Sequence, residues 1–272
     1  MLFRCLCVLV LGVVIGGCAS ARAEFQMPPE SVTNEARDLT WTRAFVYLPA
    51  ALNPFATGVL GGRRDLASIG KALDQLQSGP AKYPTVVYLH GCGGFGNSGK
   101  TNAGMLAEAG FVVIAPDSFA RPGRIKTCDG KRHIGIGPKG SYAKTIALRI
   151  DELERALEGL REFSWVDRNN LFLFGHSQGS NAAAYFDGDV FKARVMTGTR
   201  CSRGYRAPVD EPALAVSSEG DPWFRGRPIK CLDYVGKTKI EVILLEGDAH
   251  VVARVREARD RIIGFLKGQL TP

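Results

Sequence analysis

Apolar residues recur along this chain with two different periods. From residue 141 to 163 they fall at Ile146, Ile150, Leu153, Leu157 and Leu160, at intervals of four, three, four and three, which is one stripe along a helix that must pack against something. Elsewhere the chain carries short unbroken apolar runs, TVVYL, FVVIA, LFLF and EVILL. Such runs suit strands covered on both faces, hence a mostly parallel sheet with helices on each side. Read in order, the pattern predicts a strand over 40–48, a Pro/Gly-rich loop over 49–62, a helix over 64–77 and a strand over 85–90. A helix near 100–109, a strand over 111–115 and a long irregular loop over 116–140 come next, before the helix 141–163. A strand over 170–174, a helix from Gln178, strands over 191–196, 213–217 and 240–245, and a helix near 252–267 complete the alternation. The stretch 200–233, rich in Gly, Pro and Arg, reads as surface loops around a strand, and no internal repeat or low-complexity tract interrupts the pattern.

At 272 residues, with 45% hydrophobic and 23% charged, the chain can bury one substantial core. It reads as a single domain over 40–272 behind a polar, poorly patterned lead over 24–39. Residues 1–23 stand apart: Arg4 precedes an apolar run from Cys5 to Gly17, too short to span a bilayer comfortably and suited to a signal-peptide core. Its end has two readings, and both stay open. Ala21-Arg22-Ala23 is a signal-peptidase site, whereas Ile15-Gly16-Gly17-Cys18 resembles a lipobox that would place a lipid anchor on Cys18. The expectation is an exported protein, periplasmic or secreted, or an outer-membrane lipoprotein. Removal of the leader leaves 33 basic against 27 acidic residues, a net charge of +6. These charges are scattered and lack a basic stripe interleaved with aromatics, which argues against nucleic acid as a partner. Four cysteines remain, Cys92, Cys128, Cys201 and Cys231. An even number in an exported chain favours disulfides, and of the three connectivities Cys92–Cys128 with Cys201–Cys231 is preferred because each pair links loops on one rim of the sheet.

Candidate chemistry begins with a conflict. The stretch HGCGGFGNSGKT, residues 90–101, spells a P-loop from Gly94 and an H-G-x-G-G oxyanion loop from His90. A P-loop begins at the end of its strand, whereas Gly94 lies four residues beyond His90, so the oxyanion reading is preferred and Lys100-Thr101 becomes the start of a helix. Gly175-His176-Ser177-Gln178-Gly179 follows LFLF and precedes a helix, the strand–turn–helix setting of a nucleophile elbow. A serine hydroxyl needs an imidazole to take its proton. His250 is the only histidine after Ser177 and sits just beyond the strand EVILL; His90, His133 and His176 read as loop support, exposed loop and elbow packing. Asp221, after the strand ALAVS, is the preferred acid to orient His250, with Glu219 and Asp248 in reserve. The backbone N–H groups of Gln178 and Cys92 are the candidate oxyanion donors.

HGCGG, GHSQG, the EGD at 219–221 and the DAH at 248–250 together resemble the α/β-hydrolase superfamily, most closely its dienelactone-hydrolase-like branch. The resemblance spans about residues 40 to 267. It implies an α/β-hydrolase fold, a mostly parallel sheet with helices on both faces, and a serine esterase acting on a small-molecule ester through Ser177, His250 and Asp221, without metal or organic cofactor. Dienelactone hydrolases themselves use a cysteine nucleophile where this chain has Ser177, so the lactone substrate does not carry over. A serine peptidase of the same fold and a non-catalytic hydrolase-fold binding protein are the alternatives. Arg121, Arg124, Lys126, Lys131 and Arg132 on the long loop either line the entrance and favour acidic substrates or form a solvated basic surface.

Overall fold

The computed structural model describes residues 25–272. The leader, both readings of its processing and Cys18 lie outside the described residues. Helix α1 (Asn34–Thr42) opens the regular structure, its N-terminus capped by Thr33, whose hydroxyl accepts from the Ala36 N–H at 3.1 Å. This corrects the strand expected over 40–48, where only β1 (Phe45–Leu48) is extended. Thr40 and Trp41 close a helical turn whose face is buried, and α1 is pinned to the long helix that follows later by Arg37, which pairs with Asp151 at 2.8 Å and Glu158 at 2.7 Å. Residues 34–39 of the lead therefore pack against α4 as part of α1.

The chain continues through β2 (Leu60–Arg63), which begins in the last residues of the piece read as a loop, to α2 (Ala67–Ser78), β3 (Tyr83–Leu89), α3 (Gly96–Glu108) and β4 (Val112–Ala115). The long loop contains a two-stranded hairpin, β5 (Cys128–Asp129) and β6 (Ile134–Gly135), and leads into α4 (Ser141–Leu160). The rest comprises β7 (Val166–His176), α5 (Gln178–Tyr185), β8 (Ala193–Thr197), β9 (Ala213–Ser218), β10 (Ile240–Leu245) and α6 (Arg256–Gly268).

One eight-stranded sheet has the order β10-β9-β8-β7-β3-β4-β1-β2. Strands β10 through β4 are parallel to one another, while β1 runs antiparallel to both β4 and β2. Side chains alternate between faces along each strand. Val87, Leu89, Leu173 and Met196 pack with Ile69 of α2, Leu153 of α4 and Ala182 of α5. On the opposite face Val86, Tyr88, Phe174 and Val216 pack with Leu106 of α3 and Ile262 of α6. Each parallel strand thus delivers its carboxyl end to one rim, in the register Leu89 beside Gly175, His176 beside Thr197 and Leu245 beside Ser218. Disulfides Cys92–Cys128 and Cys201–Cys231, with Cα atoms 5.9 and 5.0 Å apart, bind the loops of this rim in the preferred pairing. Among the described residues no helix is long and apolar enough to cross a membrane.

Candidate active site

Ser177 occupies the junction between β7 and α5 with φ 56° and ψ −113°, a backbone region that side-chain-bearing residues rarely enter. The surroundings enforce it. Ser177 N–H donates to the Thr197 carbonyl at 2.8 Å, and the Ser180 hydroxyl donates to the Gly175 carbonyl at 2.7 Å. A Cβ at Gly175 would lie 2.6 Å from the Gly179 carbonyl oxygen, and one at Gly179 would collide with the Leu89 carbonyl, so both flanks of the turn require glycine. The loop after β3 presses against the same turn: a Cβ on Gly91 would stand 3.5 Å from the Ser177 Cβ.

His250 comes from the turn after β10, and its Nδ1 lies 2.7 Å from Oδ2 of Asp221. The other Asp221 oxygen accepts the Trp223 N–H at 2.9 Å, and the Asp221 side chain is fully buried while that of His250 is 17% exposed. The two turns are stitched by Gly220 N–H to the Gly247 carbonyl at 2.8 Å and by the Ser218 hydroxyl to the Ala249 carbonyl at 2.9 Å. Glu219 and Asp248 are exposed on the outside of those turns. The His250 ring lies between Trp223, at 5.4 Å, and His176, at 5.0 Å. With Nδ1 engaged by a carboxylate, Nε2 is the nitrogen left to exchange protons. Ser177 and His250 both line a cleft of about 140 Å³, together with Cys92, Tyr142, Asn181 and Arg200, and both also line an adjoining cleft of about 170 Å³.

The remaining histidines have other partners. His90 is buried, with Nδ1 2.8 Å from the Gly91 carbonyl and Nε2 accepting the Ser118 N–H at 3.2 Å, a pattern that makes it a neutral imidazole protonated on Nδ1. Burial, reinforced by the neighbouring Arg149 guanidinium, holds its pKa well below the usual value. His176 is likewise kept neutral by burial and then by the nearby His250, with Nδ1 3.2 Å from the Thr197 hydroxyl. His133 is less open than an exposed loop residue, for its ring meets Trp223 edge-on at 5.5 Å.

The long loop departs from expectation. Arg121 and Arg124 do not line an entrance. Arg121 is buried against Glu152 at 3.1 Å and the Ser31 carbonyl at 2.9 Å, and Arg124 reaches the Ser118 hydroxyl at 3.0 Å and Gln178 Oε1 at 3.3 Å. Burial pushes the Arg124 pKa down to about 10. Lys131 and Arg132 are exposed, Lys126 lines the second cleft, and the cation on the wall of the first is Arg200, which sequence reasoning passed over. The buried carboxylate that draws Arg121 inward has a sequence signal, because Arg149 and Glu152 lie three apart beside the apolar stripe of α4.

Lys100 and Thr101 do not follow a phosphate-cradling turn. Helix α3 begins at Gly96, so both sit in its second turn, where the Thr101 hydroxyl donates to the Asn97 carbonyl at 3.0 Å and Lys100 is exposed. Gln178 is the first residue of α5, where backbone N–H groups lack intrahelical acceptors, and Cys92 lies within a turn closed by Gly94 N–H to the Gly91 carbonyl at 3.1 Å. Among the described residues no group of three or more His, Cys, Asp or Glu side chains could hold a metal ion.

No family model matches the sequence, and no curated protein matches it either. Solved structures do. Esterase PE8 superposes with a TM-score of 0.51 at 16% identity, over 70% of this chain and 94% of that one. EstE1, a thermostable carboxylesterase cloned from a metagenomic library, gives 0.51 at 15% identity over 88% and 95%. A dienelactone hydrolase-like promiscuous phosphotriesterase from metagenomic libraries gives 0.52 at 16% identity over 72% and 90%. At such identities the likeness is one of fold: the chain has the α/β-hydrolase fold, with a mostly parallel sheet flanked by helices.

Proposed function

We propose that this protein is an exported serine hydrolase that cleaves carboxylic esters through an acyl-enzyme intermediate. The observation that carries the reading is the 2.7 Å contact between His250 Nδ1 and a buried Asp221, on the same cleft as a serine held at φ 56°. Ser177 Oγ attacks the ester carbonyl as its proton passes to His250 Nε2, and Asp221 stabilises the resulting imidazolium and keeps the ring in the correct tautomer. The N–H groups of Cys92 and Gln178 receive the negative charge that develops on the carbonyl oxygen. His250 then protonates the departing alcohol. Water, deprotonated by the same imidazole, attacks the acyl group on Ser177 and releases the acid.

The names of the structural neighbours, esterase and carboxylesterase, point the same way. Arg200 on the wall of the first cleft, with Lys126 on the second, supports esters that carry a negative charge. The two disulfides support folding in an oxidising compartment, in keeping with the leader-like residues 1–23. The proposal is tested by offering the purified mature protein esters of graded acyl length, aryl esters, acetylated sugars, lactones and peptides. Turnover of esters without peptide cleavage is expected, and hydrolysis of peptides alone would replace the esterase with a peptidase.

A further inference from the structure

The two residues proposed to donate N–H groups to the oxyanion come from distant parts of the chain, yet their side chains end on two consecutive residues. Cys92 is disulfide-bonded to Cys128, and the Gln178 amide Nε2 donates to Thr127 Oγ1 at 2.7 Å. The amide cannot be turned round, because its Oε1 accepts from Arg124 at 3.3 Å and a guanidinium can only donate. Thr127, Cys128 and Gln178 are all buried. The dipeptide is itself fixed: Cys128 pairs with Gly135 in the hairpin, and the Ile136 N–H donates to the Thr127 carbonyl at 3.0 Å. Arg124 in turn is held by Ser118 Oγ at 3.0 Å, which donates to the buried Glu152 at 2.9 Å.

We propose that Thr127 and Cys128 form a positioning brace that sets the separation of the Cys92 and Gln178 N–H groups, and thereby the stabilisation of the oxyanion. The inference rests on the ester-hydrolase reading. An oxyanion site works only when its donors are already about 2.7–3.1 Å from where the charge will develop, and a misplacement of about 1 Å lowers the rate on the order of a hundredfold. The loop after β3 already packs against the elbow through Gly91 and Gly179, and the brace adds a second tie on the side of the Cys92 and Gln178 side chains. One arm of the brace is covalent and the other is a buried hydrogen bond, and they meet at adjacent residues. The role is one of positioning through Cys92 and Gln178.

The test uses Thr127→Val, which keeps the side-chain shape and removes the acceptor, Thr127→Ser, which retains it, and a Cys92→Ser/Cys128→Ser double variant. For each, kcat and KM on a p-nitrophenyl ester are normalised to competent sites by burst titration, and inhibition by a trifluoromethyl ketone is measured. Thr127→Val is expected to lower kcat about tenfold to a hundredfold with KM within about twofold, to weaken the ketone by a similar factor, and to leave the shape of the pH profile unchanged. Thr127→Ser is expected to restore kcat to within about threefold. The double variant should follow Thr127→Val, and if it does not fold, Thr127→Val decides alone. An unchanged normalised kcat in Thr127→Val, or a loss confined to KM, overturns the brace. A wild-type protein without Ser177-dependent ester turnover overturns the ester reading and the brace with it, whereas an active wild type with insensitive variants removes the brace alone.

Discussion

Replacing Asp221 by Asn separates the proposed triad from a chance contact. Asp221 accepts from His250 Nδ1 at 2.7 Å and from the Trp223 N–H at 2.9 Å, so an amide of the same shape can keep only one of these as an acceptor. If its oxygen stays on Trp223, its NH2 faces Nδ1 and favours the tautomer protonated on Nε2, which cannot take a proton from serine. Restoring the useful tautomer forfeits that hydrogen bond between two neutral groups, about 0.5–1.5 kcal/mol. The imidazolium formed during attack also loses its counter-charge, worth about 4 kcal/mol at a separation of about 4 Å and an effective dielectric of about 20. The two losses overlap, and with a tenfold change for each 1.4 kcal/mol the expected fall in kcat is on the order of a thousandfold to ten-thousandfold, with little change in KM. Glu219→Gln and Asp248→Asn alter exposed groups outside the turns and should each change kcat by less than about tenfold. Steady-state kinetics of the three variants on one activated ester provide the assay. A mild effect at Asp221 beside a large one at Glu219 or Asp248 refutes the reasoning.

Three other outcomes are expected. His90 and His176 are held neutral when folded but titrate near 6.5 when unfolded, so their contribution to stability is complete above about pH 6.5 and is lost as pH falls below it. Between pH 7.5 and 5.5 each should lower the unfolding free energy; urea titrations of wild type and His90→Gln should show a smaller fall in the variant, and an identical fall in both counts against it. Lys100→Ala should leave ester turnover unchanged within about twofold and the protein without saturable ATP binding, whereas ATP binding abolished by this change would restore the P-loop reading. Mass spectrometry of protein from its native envelope should find a start at Glu24 or a diacylated Cys18, and an intact Met1 in the cytoplasm contradicts both.

The sequence shows its pattern most clearly where burial is two-sided. Strand β4 covers Val112–Ala115, every residue of it buried, within the span 111–115 that its unbroken apolar run predicts. Strand β7 runs on to Val166–His176, longer than its apolar segment, because the polar residues Asp167, Arg168 and Asn169 lie outside the core and leave no periodic mark. Helix α3 begins four residues before the expected start, in GNSG, whose intrinsic helix preference is weak. Packing of the adjoining Phe95, whose ring stacks on Phe45 at 4.0 Å, accompanies that early start. Helix α1 hides in a polar lead because the face it buries holds little beyond Ala36, Thr40 and Trp41. Of the candidate site, the elbow, His250 and the three acids are visible as motifs at strand ends. Arg200 and the Thr127–Gln178 contact are not, because they depend on how irregular loops fold back over the rim.

Ser177→Ala tests the central claim most directly. Turnover of a p-nitrophenyl ester is measured for this variant and wild type, with circular dichroism and thermal unfolding to verify that both are folded. The account predicts a fall in kcat of at least about a thousandfold in a folded protein, together with loss of labelling by a fluorophosphonate. A folded variant that keeps a tenth or more of wild-type turnover contradicts it.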